Sequence, residues 1–147
     1  MTSSSQNIQA ITEVLLNFAS RVEHCQQVII PSLNQGKMVI SDRFFDSTFA
    51  YQGFAQKIDI DQINLIKKIA IGNFVPDITF LIDLDVELAF ERIKQRNDNN
   101  RYEKLAIEFH QQVRAGFLKL ASQNLRIKII DGNQSIEKIF LQIINYL

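Results

Sequence analysis

Asp42 and Arg43 follow the apolar run "KMVIS" and open the stretch "SDRFFDSTFAYQG", which ends at Gly53. An acid at the end of an apolar strand can reach a magnesium ion directly or through water. An arginine beside it offers a planar fork of donors for a phosphate or carboxylate. Behind them Ser47, Thr48, Tyr51 and Gln52 place hydroxyl and amide groups on successive turns of a short helix or loop. Such groups suit the polar edge of a base or sugar. Each residue also has a plainer reading. Asp42 can cap the next helix or pair with Arg43, Arg43 can sit in a structural ion pair, and Tyr51 on an apolar face can be core.

Two further groups carry chemistry-bearing side chains. Arg21 ends an otherwise apolar helical face, with Asn17 and Phe18 one turn behind it. An arginine beside an aromatic makes a platform for a flat ring with an oxygen acceptor; the plainer reading is a core Phe18 and a solvated Arg21. The segment "RIKQRNDNNRYEK" holds Arg92, Arg96 and Arg101, with "NDNN" as a break between helices. Arginines on a loop there would deliver positive charge onto a transferring phosphoryl group; the alternative is a solvated charged turn. Cys25, His24 and His110 show no metal-ligand spacing.

The elements that would position these residues follow from hydrophobic periodicity. Three apolar runs, ending at Ser41, Ile82 and Ile130, read as strands covered on both faces, and each is followed at once by an aspartate: Asp42, Asp83 and Asp131. Amphipathic helices are predicted over about Ser5 to Gln27, around Ile63 to Ala70 with Gly72 as the stop, over Val86 to Gln95 and over Glu103 to Gln123. A last helix is capped by Ser135, with Ile136, Ile139, Phe140, Ile143 and Leu147 facing inward. Pro31 and Pro76 are placed in connections. Strands alternating with helices predict an α/β fold with a parallel sheet, whose ligands bind beyond the carboxyl ends of the strands.

Composition narrows the class. The chain has 147 residues, which suits one domain, with 46 % hydrophobic and 22 % charged residues. Sixteen basic residues balance sixteen acidic ones, which gives no electrostatic case for nucleic acid or an anionic membrane surface. A single cysteine, no apolar run of membrane-spanning length and no signal-like start make a cytoplasmic location the expectation.

Taken together, "NFASRVEHCQQVIIPSLNQGKMV", "SDRFFDSTFAYQG", "PDITFLIDLDVELAFERIKQR" and "RYEKLAIEFHQQVRAGFLKLA" resemble the bacterial thymidylate kinases, in order and spacing, from about Ile8 onward. The most specific part is Asp42-Arg43 with Ala50-Tyr51-Gln52-Gly53 eight residues on. The resemblance implies a P-loop-kinase-like three-layer α/β/α fold and phosphoryl transfer from ATP to dTMP, giving dTDP, with Mg2+. It implies that Arg43 binds the acceptor phosphate and Asp42 holds the phosphate and metal arrangement. Arg21 would reach the thymine carbonyl with Phe18 near the ring. Thr48 and Gln52 would contact the base or its surroundings, and Tyr51 would pack on the deoxyribose. Arg92, Arg96 and Arg101 would belong to a lid at about 92–103.

The departures from the family pattern are specific. The five glycines, Gly36, Gly53, Gly72, Gly116 and Gly132, include no pair five apart, so these 147 residues hold no G-x-x-x-x-G-K-[ST] loop. Gly36-Lys37 is followed by Met38, and Pro31 stands where the first glycine would be. Asn17 stands where the family usually has phenylalanine, and Asn100 where it usually has an acid. The expectation is therefore the C-terminal portion of such a kinase, an incomplete sheet of about three strands. Catalysis by this chain competes with a non-catalytic dTMP-binding module or an inactive fragment, and with a homodimer or a partner supplying the missing N-terminal part.

Overall fold

Apolar residues at three- and four-residue steps wind Ala10–His24 into helix α1, which buries Val14 and Phe18 on one stripe and leaves Leu15 and Leu16 outside. In this computed structural model, which describes residues 8–94 and 103–147, the helix does not stop at Gln27. It passes through a π-helical turn, Cys25–Ile29, into α2, Ile30–Asn34. Pro31 therefore lies in a helix and not in a connection. It directly follows the widened π turn, where the backbone hydrogen-bond pattern shifts and a missing N–H is accommodated.

The chain forms two compact units, Met1–Phe74 and Val75–Leu147. In the first, α3 (Phe45–Thr48) runs into a second π-helical stretch, Phe49–Ala55, and α4 (Ile60–Ile71) packs on α1. The core is Val14, Phe18, Cys25, Ile29, Phe45, Phe49, Ala50 and Ile63. Asp59 caps α4 by accepting from the Asp61 N–H at 2.8 Å, and Gly72 ends it with φ 58°.

The run Lys37–Ser41 was expected to be a strand, and it forms no regular element and joins no ladder among the described residues. Apolar composition favours a strand, but only a hydrogen-bonding neighbour makes one. Met38 and Ile40 are 71 % and 87 % exposed. Among the described residues the sheet has two strands where about three were expected.

Those two strands form the second unit. β1 (Thr79–Asp83) and β2 (Ile127–Asp131) pair in parallel, Thr79 opposite Ile127 and Asp83 opposite Asp131. Helices α5 (Val86–Lys94) and α6 (Glu103–Gln123) lie between them in sequence, matching the predicted alternation. Burial on both strand faces is not observed: Ile82 and Ile129 are half exposed. Helix α7 (Ile136–Ile144) starts at Ser135, whose Oγ accepts from the Lys138 N–H at 3.4 Å. Ile136, Phe140 and Leu147 are exposed and do not face inward, while Ile139 and Ile143 are half-buried. Strands lie about 5 Å apart, so a two-stranded sheet covers only a narrow row of a helix stripe.

Candidate functional site

The first unit gathers most of the residues singled out in the sequence. Arg21, at the end of the α1 stripe, donates from Nη1 to Thr48 Oγ1 at 2.8 Å and from Nη2 to the Phe44 carbonyl at 3.0 Å. Its guanidinium lies over the Phe18 ring, 5.2 Å from the centroid. Phe18 is thus a core residue whose face supports Arg21, and Arg21 is half-buried and bonded where the plainer reading had it solvated. Burial lowers the Arg21 guanidinium below its ordinary value, while the buried Asp46 carboxylate and Cys25 oppose that shift. An arginine so placed stays charged and fixed.

Arg43 is exposed and has φ 64°, the left-handed region that a non-glycine residue enters at a cost. Two contacts hold it there. Ser41 Oγ donates to the Arg43 carbonyl at 3.1 Å, and Arg43 Nη2 donates to the Tyr51 hydroxyl at 3.1 Å. The guanidinium also stacks on the Tyr51 ring, 5.0 Å from its centroid. Lys57, also exposed, shares this backbone with φ 63°, so the Tyr51 and Ser41 contacts are what set Arg43 apart. Asp42 beside it is exposed, and α3 begins only at Phe45, so Asp42 is not its N-cap.

Thr48 and Gln52, expected at a base edge, are one π-helical turn apart and almost wholly buried. Thr48 accepts from Arg21, and Gln52 Nε2 donates to Glu13 Oε2 at 3.0 Å. The same Glu13 oxygen accepts from Gln56 Nε2 at 3.1 Å. Sequence reasoning missed Glu13. Its one signal was position, two turns before Arg21 on the same helix.

The second unit holds the ends of β1 and β2. Asp83 and Asp131 are register partners there, as their shared place after apolar runs suggested. Arg114, which the sequence reading also missed, grips Asp83 through two bonds, Nε to Oδ1 at 2.7 Å and Nη2 to Oδ2 at 2.9 Å, and reaches Asp85 at 3.2 Å. A planar fork on a carboxylate is the strong form of this pair, and it fixes α6 on the strand end. Arg92 is exposed and donates to the Gly132 carbonyl at 3.2 Å. Arg96 and Arg101 lie outside the described residues. Among the described residues no group of three or more His, Cys, Asp or Glu side chains could hold a metal ion.

Known proteins place this architecture. The thymidylate kinase family model matches residues 1–143. A thymidylate kinase of Clostridium novyi is 41 % identical over 143 residues, covering 95 % of this chain and 70 % of that protein. One from Carboxydothermus hydrogenoformans is 43 % identical over 135 residues, covering 92 % of this chain and 66 % of that protein. The crystal structure of thymidylate kinase from Ehrlichia chaffeensis matches with TM-score 0.75 and 35 % identity, covering 97 % of this chain and 67 % of that one. The chain thus spans about two thirds of the length of the relatives it matches. With Arg43 braced on Tyr51 and Arg21 on Thr48, and with the match running over nearly its whole length, the chain belongs to the thymidylate kinase family.

Proposed function

We propose that this chain carries the acceptor site for dTMP in a phosphoryl transfer from ATP that yields dTDP. The observation that carries the reading is Arg43, held in a strained backbone and laid over Tyr51. Its fork is set for a phosphate, and the aromatic beneath it suits a deoxyribose. Arg21, fixed by Thr48, the Phe44 carbonyl and Phe18, is the donor for a thymine carbonyl. Thr48 and Phe18 act through Arg21, since both are almost fully buried. Asp42 is the residue to share magnesium, which when bound would neutralise charge on the phosphates. Arg92, with Arg96 and Arg101, is the source of positive charge for the donor side.

A second reading, dTMP binding without turnover, is favoured by one observation: these 147 residues carry no G-x-x-x-x-G-K-[ST] loop to cradle donor phosphates. Calorimetric titration with dTMP, UMP and ATP, alongside a coupled ADP-release assay, separates the two. Turnover of dTMP supports the kinase. Binding of dTMP with no ATP binding and no turnover supports the module. Failure to bind dTMP overturns both.

A further inference from the structure

Glu13 belongs to no recognised motif of the chain, yet it is the one acid joined to the buried amide of the site. Its Oε2 takes hydrogen bonds from Gln52 Nε2 at 3.0 Å and Gln56 Nε2 at 3.1 Å. The chemistry of the partner decides which way Gln52 points. A carboxylate accepts and does not donate, so it turns the NH2 end of the amide toward itself. The carbonyl Oε1 is then aimed away from Glu13. Gln52 is only 8 % exposed, yet among the described residues no side-chain nitrogen or oxygen is buried without a partner. Among the described residues its Oε1 takes no hydrogen bond, so that atom reaches the protein surface. The first unit therefore shows an acceptor, Gln52 Oε1, on the helical stretch that α1 contacts through Arg21, a donor, and Glu13.

We infer that Glu13 is a positioning residue that fixes the Gln52 amide with its oxygen outward, and through it selects a base bearing an N–H beside a carbonyl. The inference rests on the acceptor-site reading above. A pyrimidine imide edge has a carbonyl acceptor for Arg21 and an N3–H for the Gln52 oxygen. Cytosine has an unprotonated N3 and an amino group instead, so it meets acceptor with acceptor and donor with donor. A mismatch of buried polar groups discriminates strongly because the site groups are left unpaired.

The test uses the full chain with Glu13→Gln, which keeps the shape and removes the acceptor-only constraint, so that either end of Gln52 can face the ligand. Calorimetric titrations with dTMP and dCMP measure the preference. The wild-type chain is expected to prefer dTMP, and Glu13→Gln to lose about tenfold of that preference, with an unchanged melting temperature. In wild type the Gln52 side-chain amide protons should show NOEs to the Glu13 methylenes. If wild type prefers dTMP and Glu13→Gln keeps the full preference, or if those NOEs are absent, the role of Glu13 is overturned while the acceptor site stands. If wild type binds neither nucleotide, the acceptor-site reading falls and the base preference falls with it.

Discussion

Arg21 on α1 and Thr48 on α3 are 27 residues apart in sequence and 2.8 Å apart in space, guanidinium to hydroxyl. With the Phe44 carbonyl as the second acceptor, both ends of the guanidinium fork are anchored by one N–H each, which leaves its other N–H groups to donate to a ligand. Arg21→Lys keeps the charge and loses the fork, because an ammonium is a point charge on a flexible stem. We expect a loss of about 1.5–3 kcal/mol in urea denaturation, the range for hydrogen bonds to a charged group. Thr48→Val, which leaves Nη1 without its acceptor, should cost about 1–3 kcal/mol. Both should weaken dTMP binding, and a lysine variant with wild-type stability and affinity would contradict the role given to the fork.

Arg43 separates stability from binding. Its φ of 64° suits glycine, so Arg43→Gly should leave stability unchanged or raise it by about 1 kcal/mol while removing the guanidinium. The same variant should lose at least about tenfold in dTMP affinity, the worth of one charged hydrogen bond. Thymidine, which has no phosphate, should bind both forms equally. Arg43→Val, β-branched at a positive φ, should lose both stability and affinity. Equal losses of thymidine and dTMP binding in the glycine variant would remove Arg43 from the phosphate.

Gly132 lies directly against the backbone at the end of β1 in the second unit. Its N–H donates to the Asp83 carbonyl at 2.7 Å, and a Cβ there would lie 2.7 Å from that same oxygen. The obstacle is backbone and cannot swing aside. Gly132→Ala should therefore separate the ends of β1 and β2 and destabilise the fold by about 1–3 kcal/mol in thermal or urea unfolding. The Arg92 bond to the Gly132 carbonyl should be disturbed with it. An alanine variant that melts with the wild type would show that the strand ends can part without cost.

Acid should act first on turns of the second unit. The Asp131 carboxyl is held below its usual range chiefly by the Asn133 backbone N–H, and Glu137 by its own N–H and Ser135. Asp85 is lowered by hydrogen bonding with Glu87 and, more weakly, by Arg114. A depressed folded value means that stability is present above the unfolded value and lost as pH falls through the folded one. Melting temperature should hold down to about pH 5 and fall progressively below about pH 4. Asp131→Asn should flatten that fall, and an unchanged profile would dismiss Asp131 as a contributor.

The sequence by itself determined the local elements and their type. Periodicity placed α6 at Glu103–Gln123 and ended α4 at Gly72, because a helix depends on neighbours three and four residues away. The Ser135 cap was legible for the same reason, and the two strands were legible from β-branched apolar runs, expected to end at Ile82 and Ile130 and found to include the aspartate that follows each. The Asp42-Arg43 and Tyr51-Gln52 pattern was legible as chemistry, since residue type limits what a side chain can donate or accept. Tertiary structure alone decided the rest. It left Lys37–Ser41 without a ladder, since a strand exists only when another chain segment completes its hydrogen bonds. It carried the helix through Pro31 by way of a π turn. It assigned the partners of charge: Glu13 to Gln52 and Gln56, Arg114 to Asp83 and Asp85, Arg21 to Thr48. These pairs span 27 to 43 residues of chain, and no periodicity within a helix or strand reports which distant side chain will meet an arginine or an acid.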